Sequence, residues 1–87
     1  MNQAIINQIQ KYNQTIGMLY QQGQYEQGII FAQQTCDLAK SYSLTNEVIY
    51  ADSLNILALL YKSIGQYKQA LPLYQQALEI LGKSLGT

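Results

Sequence analysis

Cys36 is the one thiol in the chain, and covalent chemistry would start there only if a neighbouring base or cation held it as a thiolate. No His exists to do so, and Asp37 and Lys40 are the charged residues near it in sequence. Acid–base chemistry needs paired carboxylates, yet Glu26, Asp37, Glu47, Asp52 and Glu79 are scattered along the chain. Gly23 to Gly28 has the glycine spacing of a phosphate loop but lacks the following Lys-Ser/Thr and a preceding strand. Without His, the usual zinc ligand sets cannot be assembled, and a lone Cys makes no internal disulfide. The sequence therefore predicts no enzyme, no catalytic residue, no metal and no cofactor.

The elements around these residues point to a small helical domain. At 87 residues the chain forms one domain, read as spanning residues 1–87. Five Lys balance five acidic residues, so no long-range field draws in phosphate backbones or anionic lipid, and neither nucleic acid nor membrane is an expected partner. Polarity comes from fourteen Gln and five Asn set between apolar positions, the pattern of wet helix faces. The N-terminal MNQAIINQIQK has neither a basic leader nor an unbroken apolar run, and no stretch nears the ~20 apolar residues that span a bilayer. A soluble protein of the reducing cytoplasm is expected.

An internal repeat organises the chain. Gly23-Gln24-Tyr25-Glu26-Gln27-Gly28 recurs 42 residues later as Gly65-Gln66-Tyr67-Lys68-Gln69-Ala70, and Gln33-Gln34-Thr35 recurs as Gln75-Gln76-Ala77. Upstream of the glycine, Ile16-Gly17 and Tyr20 match Leu57-Ala58 and Tyr61 at a shift of 41. Each copy reads as two helices joined at a glycine that adopts the left-handed backbone of a helix end. Leu54, Leu57, Ala58 and Tyr61 keep the spacing of one apolar face, and Tyr67, Ala70, Leu71, Tyr74, Ala77, Leu78 and Leu81 continue it. Helices are expected near residues 3 to 21, 24 to 42, 46 to 64 and 66 to 83, with Thr45 or Asn46 capping the third. Gly17, Gly28, Ala58 and Ala70 are expected where paired helices come closest, and Pro72 to bend the last helix locally.

The stretch LNILALLYKSIGQYKQALPLYQQALEILGKSLG, residues 54 to 86, resembles a tetratricopeptide repeat of the 42-residue kind found in kinesin light chains. Leu54, Leu57, Ala58, Tyr61, Gly65, Tyr67, Ala70, Tyr74 and Ala77 carry the match, with Pro72 and the closing Leu81-Gly82 to Leu85-Gly86. The first copy keeps Ile16, Gly17, Tyr20, Gly23, Tyr25 and Gly28, but has Ala32 and Thr35 at positions where other residues are usual, with Phe31 placed to fill the gap beside Ala32. The resemblance implies an all-α fold: two antiparallel helix-turn-helix hairpins, one near residues 9–43 and one near 51–86, forming a fragment of a right-handed α-solenoid.

It also implies a concave groove for a peptide, lined by the first helix of each hairpin. That assigns Lys11, Gln14, Met18 and Gln21 from the first copy and Asp52, Asn55, Leu59 and Lys62 from the second. The Lys, Asn and Arg set with which some members grip a terminal carboxylate is missing, since Ile56 and Leu59 stand where asparagines would be wanted and the chain has no Arg. Tyr12, Tyr20, Tyr50 and Tyr61 read as seam packing with hydroxyls at the rim. Leu71, Leu78 and Leu81 face the side that a following repeat would cover, so further repeats of a longer array or a second copy of the chain is expected there. The function expected is a protein-interaction module, an adaptor or scaffold. Its rival is a peptide-sensing regulatory domain of a larger signalling protein, and a further domain beyond Thr87 would favour that rival.

Overall fold

Three chain reversals share one hydrogen-bond pattern, and together they determine where the helices end. In the first, the Gln24 N–H donates to the Leu19 carbonyl at 2.9 Å and the Gly23 N–H to the Tyr20 carbonyl at 3.0 Å. Gln66 and Gly65 repeat this on Tyr61 and Lys62, and Leu44 and Ser43 repeat it on Ala39 and Lys40. These paired bonds satisfy carbonyls that a helix end leaves open, and they require one left-handed residue. Gly23, Gly65 and Ser43 supply it with φ of 75°, 81° and 58°. Ser43 does so with a side chain in place, which carries a steric cost that glycine lacks.

The computed structural model describes residues 3–84, apart from the side chain of Ser84. They form α1 (Gln3–Gln21), α2 (Tyr25–Ser41), α3 (Val48–Ser63) and α4 (Tyr67–Ser84), two helical hairpins as the sequence predicts. Leu85 and Gly86, used in the repeat match, lie outside the described residues. The start of α3 departs from expectation. Glu47, not Thr45 or Asn46, holds the cap position, and no side chain bonds there. The chain turns instead through the backbone: the Glu47 N–H donates to the Leu44 carbonyl at 3.0 Å, and the Tyr50 N–H donates to the Glu47 carbonyl at 3.0 Å. Leu44, buried beneath that turn, anchors it. α4 runs on through Pro72, which sits early enough in the helix to leave most of the bonding ladder intact.

The most apolar helix, α3, takes the centre and packs against the other three, whereas α4 closely approaches α3 alone. Around α3 the core gathers Ile9 and Ile16 of α1, Ala32, Cys36 and Ala39 of α2, and Ala77 and Ile80 of α4. Ala58 and Ala70 are buried at helix contacts as expected. At Gly28 a Cβ would lie 3.0 Å from a Leu60 methyl, so any side chain there would push that leucine aside by a few tenths of an ångström. Gly17 does not belong with them, since a Cβ there meets nothing within 4 Å.

The apolar residues of α4 divide into two adjacent stripes. Ala70, Ala77 and Ile80 are buried and Leu73 packs on the core, while Tyr67, Leu71 and Leu78 are 64%, 59% and 71% exposed. Leu81, expected on the outer face with Leu71 and Leu78, is half-buried and packs on the core. With a single partner helix, α4 has no second surface to cover the outer stripe. The tyrosines divide as well: Tyr12 packs on Phe31 with ring centroids 5.2 Å apart, and Tyr20 on Tyr25 at 5.7 Å. Tyr50 is wholly buried, and its hydroxyl, expected at the rim, lies inside the fold near the Gln76 side chain. Burial raises its pKa, neighbouring Cys36 adds to the rise, and the Gln76 side chain acts against it.

Candidate functional site

Along α1, Ile9, Asn13 and Ile16 form the buried stripe that faces the rest of the fold. Asn13 takes the place that Leu54 holds in the second copy at the 41-residue shift. It is 9% exposed, a polar residue on an otherwise apolar stripe. Opposite it on α3 lies Ser53, wholly buried, with Oγ 2.9 Å from Asn13 Oδ1 and 3.2 Å from the Ile49 carbonyl. A hydroxyl has one hydrogen, so Ser53 cannot donate to both oxygens. With Oδ1 facing Ser53, the Asn13 Nδ2 has no partner. With the amide turned over, Ser53 donates to Ile49 and accepts from Nδ2, and Oδ1 becomes the atom left over. Either way one polar atom of a buried amide lacks a bond, a state that costs about 1–3 kcal/mol.

That amide lies in the groove between α1 and α3. The groove holds about 540 Å³ and is lined by Gln10, Asn13 and Gln14 on one side and by Ile49, Asp52, Asn55 and Ile56 on the other. A second hollow of about 310 Å³ adjoins it, sharing Gln10, Ile49 and Asp52 and adding Ile6, Asn46, Glu47 and Val48. The walls thus combine apolar Ile side chains with amides, which suits a peptide backbone and small side chains. Burial raises the Asp52 carboxyl above the usual range, because water that would stabilise its charge is partly excluded.

Of the residues expected to line a groove, the fold brings Gln14, Asp52 and Asn55 together here. Lys11, Met18 and Gln21 are exposed on α1 outside this lining, and Leu59 is half-buried on α3. Lys62 borders a separate hollow at the other end of α3, with Tyr67, Leu71 and Tyr74. The sequence does not single out Gln10, Asn13, Ile49 or Ser53, and it marks Ile56 only as a position where an asparagine would be wanted. A signal existed for Asn13, because the repeat places an amide where its second copy has leucine.

The profile described as Tetratricopeptide repeat matches residues 8–83, nearly the whole of the chain. The chain belongs to the tetratricopeptide-repeat family. Neither the curated proteins nor the solved structures yield a match. Tetratricopeptide repeats are non-catalytic modules that mediate protein–protein interaction, binding proteins or peptides. Cys36 is buried and its thiol is pushed up to about 12, chiefly by burial, with Asp37 adding to the rise and Lys40 acting against it. A thiol held neutral is a poor nucleophile. Among the described residues, no three His, Cys, Asp or Glu side chains gather to hold a metal ion, and no helix is long and apolar enough to cross a membrane.

Proposed function

We propose that the protein acts as a cytoplasmic adaptor or scaffold that binds a partner peptide in the groove between α1 and α3, by contact and not by catalysis. The observation that carries this reading is the groove itself, in which Gln10, Gln14 and Asn55 offer hydrogen-bonding groups beside apolar contact at Ile49 and Ile56. Affinity capture with the full chain, followed by titration of the identified partner, tests it. Gln14→Ala with Asn55→Ala is expected to weaken that partner about tenfold or more, whereas Leu78→Lys on the far face leaves it unchanged. A partner indifferent to the groove substitutions overturns the reading. With few charges in the chain, binding should weaken only modestly with salt.

A second reading rests on α4. Tyr67, Leu71 and Leu78 form an exposed stripe spaced i, i+4 and i+11, and covering what is still exposed of each leucine is worth roughly 1–2 kcal/mol. The surface is read as a contact between two copies of the chain. Sedimentation should show concentration-dependent association that Leu71→Lys with Leu78→Lys abolishes. A stable monomer at high micromolar concentration contradicts it.

A further inference from the structure

The outer stripe of α4 has the spacing of a helix seam. Tyr67, Leu71, Tyr74, Leu78 and Leu81 follow one another in steps of four, three, four and three residues, the repeat that lets one helix bury an apolar line against a second. Tyr67, Leu71 and Leu78 are exposed along it, while Tyr74 and Leu81 are half-buried at its inner edge. Beside the seam lies a hollow of about 280 Å³, lined by Lys62, Tyr67, Ala70, Leu71 and Tyr74. The first copy shows what such a hollow takes. Gly28, the counterpart of Ala70, has the methyls of Leu60 against it, a leucine supplied by the helix that packs on α2.

Two helices of a second copy present a leucine to this seam. α1 is the counterpart of α3, and its Leu19 that of Leu60. Gln8 and Thr15, however, stand where α3 has Ile49 and Ile56 on the face it turns to the first hairpin, so α1 offers a wet surface to an apolar line. α4 offers Leu71 and Leu78, and its charges fit an antiparallel partner. Lys68 and Glu79 are exposed near opposite ends of the seam, on the flank away from α3. Among the described residues neither makes an ion pair. When two copies of α4 run antiparallel about Tyr74, Lys68 of each falls within one turn of Glu79 of the other on that flank. In a parallel pair each charge lies level with its own counterpart, and the opposite charges do not meet. We propose that the partner of this face is α4 of a second copy, antiparallel, with Leu71 and Leu78 filling the seam and Lys68 and Glu79 pairing reciprocally across a two-fold axis. The proposal rests on the reading that copies of the chain meet at α4, and it fixes their orientation.

Sedimentation equilibrium of the full chain tests it, with the fold of each variant checked by circular dichroism. Lys68→Glu and Glu79→Lys each place two like-charged contacts in the dimer, and each should weaken association about threefold to tenfold. The double variant, whose net charge equals that of the original chain, should return to the original affinity. The two single variants, mixed, should pair with each other in preference to themselves, and high salt should shrink all of these differences. Association that neither single substitution alters, or that the double variant fails to restore, overturns the antiparallel arrangement while self-association stands. A monomer at high micromolar concentration leaves the stripe to a following repeat or an unlike partner and overturns both.

Discussion

Replacing Asn13 by leucine should stabilise the fold. The substitution removes a buried amide atom that has no partner, worth about 1–3 kcal/mol. It also places an apolar side chain at a position that is 9% exposed, worth roughly 1.5–3 kcal/mol if the leucine fits. Against this stands the bond to Ser53, about 0.5–1.5 kcal/mol, after which Ser53 still donates to the Ile49 carbonyl at 3.2 Å. Leucine has the same number of side-chain heavy atoms as asparagine, but its methyls and tetrahedral Cγ take up more room, and overpacking reduces the gain. A net stabilisation of about 1–3 kcal/mol remains. For a chain of this length each kcal/mol moves Tm by roughly 4–8 °C. Urea denaturation followed by circular dichroism at 222 nm gives the free energy directly. The reciprocal exchange in the second copy, Leu54→Asn, should cost more than Asn13→Leu gains, because Leu54 is 2% exposed among apolar neighbours. A neutral or destabilising Asn13→Leu would mean that the amide is satisfied, and the reasoning from an orphaned polar atom would be wrong.

Two further outcomes follow from the backbone and from burial. Ser43→Gly should stabilise by about 0.5–1 kcal/mol, because it relieves a left-handed residue at φ 58° and loses part of that gain to unfolded-chain entropy; the same urea titration checks it, and a loss of stability would contradict the turn geometry. Cys36 has its pKa raised from 9.0 to about 12, so the folded state holds more protons than the unfolded state in that window. Stability should be unaffected by this group below about pH 9 and should fall as pH rises toward 12, by at most ~1.4 kcal/mol per pH unit. Cys36→Ala should flatten that slope. The part that remains belongs to residues such as Tyr50, whose pKa is displaced in the same direction, and an unchanged slope would remove Cys36 from the explanation.

The repeat and the hairpins were legible in the sequence because their causes are local. Gly23 and Gly65 recur at 42 residues and end helices by a backbone conformation that glycine adopts freely. Helical periodicity likewise marks an apolar face without knowledge of what covers it. Features that depend on neighbours were less legible. Along α4 two adjacent stripes are apolar, at Ala70, Leu73 and Ala77 and at Tyr67, Leu71 and Leu78, and only contact with α3 decides that the first is inside. Leu81 moved inward for the same reason. Gly17 and Gly28 look alike as small residues in helices, but only Gly28 has Leu60 pressed against it.

Sequence by itself thus determined an all-α pair of hairpins, the positions of their glycine turns and the family to which the chain belongs, since each rests on residue spacing along one segment. Tertiary structure decided the groove. Asn13 and Ser53 lie forty residues apart in the chain and hydrogen-bond across α1 and α3, and Gln14, Asp52 and Asn55 share a cavity with Ile49 and Ile56. Which of many dispersed amides and carboxylates meet depends on how one helix is rotated against another. Packing of the apolar stripes sets that rotation, and it leaves one amide atom of Asn13 buried and unpaired beside the groove.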